Sequence, residues 1–293
     1  MKASAFSYAR ASSVDEALSL LVQHGDQAKI LSGGQSLMPA LNLRLSAPEW
    51  IIDINGISDL RGVTVAGDVL KIGALTRHVD VQRSAEIATH APLLTDAIQH
   101  VAHPAIRNRG TFGGSLAHAD PASELPACVV ALDATIVARG PGGERRIAAA
   151  EFFAGIYETA LAPDELLVAV EVPVKKPGAR HFFHEYARRS GDYAIAGLAA
   201  QAVRDGDVLS DLRLAYFAVG DRPVLAMASR HLVGKPVTAT TLAEAQAALD
   251  DELDPQEDQQ ATASMRRYFA RQLMERCVVE LLERPDLAVR RTA

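Results

Sequence analysis

The chain has 293 residues, with 30 lysines and arginines against 36 aspartates and glutamates, a formal net charge of −6. That length accommodates two domains of ordinary size, and the acidic balance without a long basic run argues against nucleic acid as a partner. No stretch reaches the roughly 18 uninterrupted apolar residues of a membrane span, and the first residues follow their one lysine with no apolar run, so neither a membrane span nor a secretory signal is expected and the cytoplasm is the expected compartment.

In chain order, Val14, Ala17, Leu18 and Leu21 recur at helical spacing over Val14–His24, and the apolar run Ala28–Leu31 reads as a strand. Ser32-Gly33-Gly34-Gln35 interrupts, residues 36–45 are helix-capable with Ser36 available as a cap, and residues 50–54 read as a buried strand. Short strands are expected at 63–65 and 69–72, then one long helix over 85–100. A second glycine-rich turn at 110–114, a helix at 123–131, a strand at 134–138 and a strand at 168–174 follow. Pro173-Val174-Lys175-Lys176-Pro177-Gly178 stops helix and strand alike and marks a linker. Beyond it, strands at 182–188, 194–204 and 211–219 suggest an antiparallel meander, and residues 250–260, acidic and glutamine-rich, read as a solvated loop. In the last helix Met265, Phe269, Leu273, Cys277 and Leu281 fall four apart on one stripe, which suits internal core or a partner surface.

Several signatures are missing. There is no Gly-x-Gly-x-x-Gly and no phosphate loop with lysine. Gly113-Gly114-Ser115-Leu116-Ala117 lacks the last glycine of a nucleophile elbow. His184-Glu185-Tyr186-Ala187-Arg188 ends in a residue that cannot ligate zinc. His90, His100 and His103 have no cysteine or carboxylate at a ligand-like spacing, so no metal site is expected. Cys128 and Cys277 are too few and too far apart for an iron–sulfur cluster and read as small buried hydrophobes. What remains is two glycine loops, Ser32-Gly33-Gly34-Gln35-Ser36 and Thr111-Phe112-Gly113-Gly114-Ser115. Consecutive glycines let backbone N–H groups converge on an anion, and a helix starting there adds positive potential. Two such loops could grip both phosphates of one dinucleotide, and each alone could equally be a tight turn.

The second loop in its setting, from His103-Pro104-Ala105-Ile106-Arg107-Asn108-Arg109-Gly110 through Ser115 and on through Asp120-Pro121-Ala122-Ser123-Glu124-Leu125-Pro126, resembles the FAD-binding medium subunit of molybdenum hydroxylases, the xanthine dehydrogenase and aerobic carbon monoxide dehydrogenase family. Lys29-Ile30-Leu31-Ser32-Gly33-Gly34-Gln35-Ser36 is similar to that family's other flavin loop. Asp53-Ile54-Asn55, Ile72-Gly73-Ala74-Leu75-Thr76, Arg188-Arg189-Ser190-Gly191-Asp192-Tyr193-Ala194 and Asp254-Pro255 match in order, so the resemblance spans essentially the whole chain.

The resemblance implies an α+β fold of the vanillyl-alcohol-oxidase type, in two lobes at about 1–57 and 58–176, and a C-terminal domain of antiparallel sheet and helices at 177–293. It implies FAD held by Lys29, Ile30, Leu31, Ser32, Gly33, Gly34, Gln35 and Ser36 on one side and Thr111, Phe112, Gly113, Gly114 and Ser115 on the other, the glycines giving backbone donors. Val101 would pack against the cofactor, Glu124 would accept a hydrogen bond from it, Tyr193 would lie by the flavin ring, and Arg188 or Arg189 near its pyrimidine side. No protein nucleophile or general base is required, because the cofactor carries the chemistry. The implied assembly is a heterotrimer in which a large molybdopterin subunit oxidises substrate and a small subunit with two [2Fe-2S] clusters relays electrons to the FAD here, which passes them to an acceptor. NAD, a quinone, a cytochrome and dioxygen stay open. A freestanding flavin oxidase of the same fold, with a covalent link through a residue such as His78, His103 or His118, and a nucleotide-binding scaffold without redox function are the rival readings.

Overall fold

The computed structural model describes residues 2–284. It opens with a small parallel sheet in which β1 (Ser7–Arg10), β2 (Ala28–Leu31) and β3 (Trp50–Asp53) lie in the order β1-β3-β2. Helix Val14–His24 has the sequence expected of a capped helix. Ser13 accepts from the Glu16 N–H, Asp15 and Glu16 occupy the positive end, and Gly25 ends it at φ +52°. Its Ala17, Leu18 and Leu21 are buried with Ile52 and Ile54. The helix expected over 36–45 contracts to Leu37–Asn42, and Ser36 does not cap it, because its own backbone is helical rather than extended.

β4 (Val63–Ala66), β5 (Val69–Gly73), β6 (Thr135–Gly140) and β7 (Gly143–Ala148) belong to a second sheet, while β8 (Phe153–Gly155) and β9 (Glu158–Thr159) form a separate pair. β10 (Leu166–Pro173) completes the five-stranded antiparallel sheet as its centre, in the order β4-β5-β10-β6-β7. A central strand is covered on both faces, which the apolar run Leu166–Val170 satisfies before Glu171, half-buried, turns to Arg146 at 3.0 Å. Leu167, Val170 and Val172 join one core, and Leu166, Val168 and Ala169 join the core under the first sheet. Register slips between Leu167 and Ala169, and there the Val168 carbonyl accepts from the Ala74 N–H at 3.0 Å.

The single helix expected over 85–100 is two, Ala85–His90 and Pro92–Ala97. Pro92 has no N–H and its ring excludes the preceding helical turn, so it starts a new helix at the first position. The expected turn at 110–114 is also corrected. Gly113 and Gly114 lie inside helix Phe112–His118, whose N-cap is Thr111.

β11 (Ala179–Tyr186), β12 (Ala196–Asp205), β13 (Val208–Phe217) and β14 (Val224–Leu225) form the expected antiparallel meander. Period-two alternation buries both faces. Ala199, Ala215 and Phe217 join the core of the preceding sheet, while Leu198, Ala200, Leu214 and Tyr216 pack with helices Ala239–Glu252 and Ala263–Leu282. The stripe on the last helix is largely core, with Leu273, Cys277 and Leu281 buried and Met265 41% exposed. The loop expected over 250–260 splits. Its first residues finish helix Ala239–Glu252, Leu253 is buried, and Asp258 is held by buried Arg266 at 2.6 Å. Cys128 and Cys277 are free and buried, as small hydrophobes should be. Among the described residues no helix is long and apolar enough to cross a membrane.

Candidate functional site

The two glycine loops, far apart in sequence, interlock. Ser32 follows β2 and Thr111 caps helix Phe112–His118, and their hydroxyl oxygens lie 2.6 Å apart across 79 residues of chain. A Cβ on Gly33 would stand 2.6 Å from the Arg109 carbonyl oxygen and 2.8 Å from Gly110 Cα. One on Gly114 would stand 2.5 Å from Thr111 Oγ1 and 3.5 Å from Ser32 Oγ. Only hydrogen fits at either position.

The loops differ in what they offer a ligand. Gly34 has φ +73°, which turns successive N–H groups to one side. Among the described residues Gly33, Gly34 and Gln35 donate no backbone hydrogen bond, and the Gln35 amide folds back to the Gly33 carbonyl at 3.0 Å. The first loop therefore presents unspent donors. In the second, Phe112 N–H donates to Thr76 O, Gly113 N–H to Ala74 O, Gly114 N–H to Thr111 Oγ1 and Ser115 N–H to Thr111 O. The expectation that Gly113 and Gly114 supply backbone donors is thus corrected. These glycines let the helix approach β5 and the first loop, and the positive end of the helix with its hydroxyls is what this side contributes. Gly113→Ala is expected to destabilise the fold by about 1–3 kcal/mol in urea unfolding, since its Cβ would lie 2.7–2.9 Å from Ala74 Cβ, Cα and O.

Beneath the second loop His78 is 3% exposed, with Nε2 3.0 Å from both Thr111 O and Ser115 Oγ. Burial drives its pKa down to about 4. The ring is neutral, Nε2–H serves the carbonyl, and the Ser115 hydroxyl proton remains available to a ligand. His78 is therefore a support of the loop rather than a point for a covalent link.

The other expected residues lie in two further places. Val101, 9% exposed, precedes Ala102 and His103, and its carbonyl accepts from Arg107 Nη1 at 3.0 Å. Against Ala102 and His103 rests the segment after β11, where Gly191, at φ +85°, comes so close that a Cβ would meet His103 Cε1 at 2.5 Å. That contact brings Val101 near the segment bearing Arg188 and Tyr193, both exposed. Tyr193 borders a cleft of about 330 Å³ whose other walls include Asp120, Tyr157, Ala218 and Arg266. Glu124 is 9% exposed at the first turn of helix Glu124–Ala131, and burial, then the neighbouring Glu185, raises its pKa to about 8. At neutral pH it is a protonated acid, able to donate as well as accept. Lys29, on β2, is exposed, while Ile30 and Leu31 are half-buried.

Two polar residues carry weight that sequence reasoning did not assign. Asn55 and Arg77 bind the backs of the loops, Asn55 through Ser32 O at 2.8 Å and Arg77 through Arg109 O. Asp53-Ile54-Asn55 after a strand was the available signal, since an aspartate two residues ahead accepts from the Asn55 N–H in a tight turn. Burial and the neighbouring Arg61 and Arg109 guanidiniums pull Arg77 below the usual arginine range.

Comparison with known proteins shows the family. The family model described as the FAD binding domain in molybdopterin dehydrogenase matches residues 4–175, and the CO dehydrogenase flavoprotein C-terminal domain matches residues 181–281. The 6-hydroxypseudooxynicotine dehydrogenase complex subunit alpha of Paenarthrobacter nicotinovorans is 39% identical, over 97% of each chain. The carbon monoxide dehydrogenase medium chain of Hydrogenophaga pseudoflava is 36% identical, over 93% of this chain and 96% of that one. Among solved structures, CO dehydrogenase from Oligotropha carboxidovorans superposes with a TM-score of 0.94 at 32% identity, covering 97% of this chain and all of that one. Quinoline 2-oxidoreductase from Pseudomonas putida 86 gives 0.90 at 36% identity, with coverage of 97% and 99%. The chain belongs to the family of FAD-binding domains of molybdopterin dehydrogenases, joined to a CO dehydrogenase flavoprotein C-terminal domain.

Proposed function

We propose that this chain is the FAD-bearing medium subunit of a molybdenum hydroxylase in the cytoplasm, taking electrons from [2Fe-2S] clusters of a small subunit after a large molybdopterin subunit has oxidised the substrate, and passing them to an external acceptor. The lock between the two glycine loops carries the proposal. Ser32 and Thr111 meet at 2.6 Å with no room for a side chain at Gly33 or Gly114, which shapes a cradle for a diphosphate. Residues 29–36 and 111–115 form the cradle, divided between the lobes at about 1–57 and 58–176, and a C-terminal domain of antiparallel sheet and helices begins at about residue 177. Unspent N–H groups of Gly33, Gly34 and Gln35 face one side and the start of helix Phe112–His118 faces the other, a donor set that suits an anion and offers no ligand for a metal. Val101 excludes water, Tyr193 covers one face of the ring, Arg188 supplies positive charge at its edge, and Glu124 holds a proton. The bound flavin supplies the exchange between two-electron and one-electron steps, so the protein's task is binding and orientation.

The test is the absorption spectrum of the purified chain before and after acid precipitation. A chromophore near ~450 nm, released by acid and identified as FAD, is expected. Flavin retained in the precipitate would favour the freestanding oxidase, and a folded chain that binds no FAD, alone or in its complex, would overturn the proposal.

A further inference from the structure

Asn55 stands two residues beyond β3, in a turn in which Asp53 Oδ1 accepts from the Asn55 N–H at 2.8 Å and from its side-chain Nδ2 at 2.7 Å. The same Nδ2 reaches the Ser32 carbonyl at 2.8 Å, so the first glycine loop is held from behind. The Asn55 carbonyl end is engaged as well, since Oδ1 accepts from Arg77 Nη2 at 2.7 Å. Arg77 then spends Nη1 on the Arg109 carbonyl, the very group that a side chain on Gly33 would strike. On the far side, the other Asp53 oxygen accepts from Tyr8 OH at 2.6 Å, and Arg61 Nη2 donates to the Asn55 backbone carbonyl at 2.8 Å.

One hydrogen-bonded chain, Tyr8–Asp53–Asn55–Arg77, thus runs behind both loops and ends on the Ser32 carbonyl of the first and on the Arg109 carbonyl two residues ahead of the second. Among the described residues Arg77 makes no ion pair; Arg61 and Arg109 near it carry the same sign, and Asp80 and Asp53 act on it more weakly with the opposite one. Its place is explained by geometry. A planar guanidinium donates to two acceptors in fixed directions, which a lysine ammonium on a flexible stem does not reproduce.

We propose that Asn55 and Arg77 are positioning residues that fix the separation of the two glycine loops and thereby set the affinity of the cradle for the diphosphate of a flavin dinucleotide. This rests on reading the loops as the FAD cradle. Neither side chain touches the ligand. Each acts through the carbonyl it holds, and because both belong to one bridge, losing either end releases the same constraint.

The experiment uses the full chain stripped of flavin, titrated with FAD by quenching of flavin fluorescence, alongside the melting temperature of each apo form. Asn55→Ala and Arg77→Ala are each expected to weaken binding by roughly 10- to 100-fold, with the double variant no weaker than the poorer single one and apo melting temperatures close to wild type. Arg77→Lys, which keeps charge and stem, is expected to behave like Arg77→Ala and serves if the alanine variant does not fold. Unchanged affinity, additive losses, or losses that follow a fall in melting temperature would overturn the proposal. Gly33→Asp separates the two failures. If it binds FAD as wild type does, the cradle reading is wrong; if it loses FAD while Asn55 and Arg77 variants keep it, the cradle stands and the clamp does not.

Discussion

Gly33→Asp is expected to cost the chain at least about 10³-fold in FAD affinity, roughly 4 kcal/mol, with Gly114→Asp close behind. Two effects add. Any Cβ at 33 stands 2.6 Å from the Arg109 carbonyl oxygen, so the second loop must retreat from the first. The aspartate then places negative charge beside donors arranged for phosphate. At 114 the first contact is Thr111 Oγ1, at 2.5 Å, so the cap of helix Phe112–His118 is damaged before a ligand arrives. Gly34→Ala separates strain from closeness. Its Cβ would meet only the side chains of Leu31 and Met38, at 3.1 and 3.3 Å, and its cost comes from φ +73°. That variant should lose about 1–2 kcal/mol of stability and keep most of its FAD. Equilibrium dialysis against FAD with the melting temperature of each apo form checks all three. Full flavin content in both aspartate variants would remove the loops from the site.

Such contrasts show how far the sequence could be read. Elements dictated by local chemistry stand where their patterns put them. Ser13 and the apolar spacing mark helix Val14–His24, and Pro177 with Gly178 marks the break before β11. Over 85–100 the apolar periodicity predicts one helix, and Pro92, whose missing N–H ends the preceding turn, divides it in two. Glycine-rich Gly113-Gly114 looked like a turn for a similar reason. Low helix propensity is overridden when Thr111 caps the helix and Gly113 must pass within contact of Ala74. Asn55 is signalled only by the aspartate turn before it, and Arg77 by nothing local, since the carbonyls they hold, of Ser32 and Arg109, come near them only in the tertiary fold. Loops of this kind are legible as composition, and their mutual geometry is a tertiary fact.

A second large effect concerns Glu124. In the folded chain it holds its proton to about pH 8 because it is buried, with Glu185 and Asp120 opposing its ionisation and His100 favouring it. In the unfolded chain it ionises near ~4.3. Between these values the folded state binds a proton that the unfolded state does not, so stability present at low pH is lost as pH rises toward 8. For one proton the loss approaches tenfold in the unfolding equilibrium per pH unit. His100, raised chiefly by its hydrogen bond to Glu185, loses stability in the same direction above its unfolded value. His78 opposes them on the acid side. Its pKa of about 4 means that stability falls as pH drops from ~6.5 toward 4, because the unfolded ring takes a proton that the folded one refuses. Glu124→Gln keeps a neutral hydrogen-bonding group in the same volume and removes only the titration. Relative to wild type, the variant is therefore expected to gain stability progressively from about pH 5 to 8 and to hold a constant advantage above, measured by urea unfolding across that range. A flat difference would mean that the carboxylate is ionised in the fold, and Glu124 could then accept but never donate to a bound flavin. A rising difference fixes it as a buried proton near Glu185, whose own Oε2 has no partner, and makes proton retention, rather than negative charge, the property this acid brings to the site.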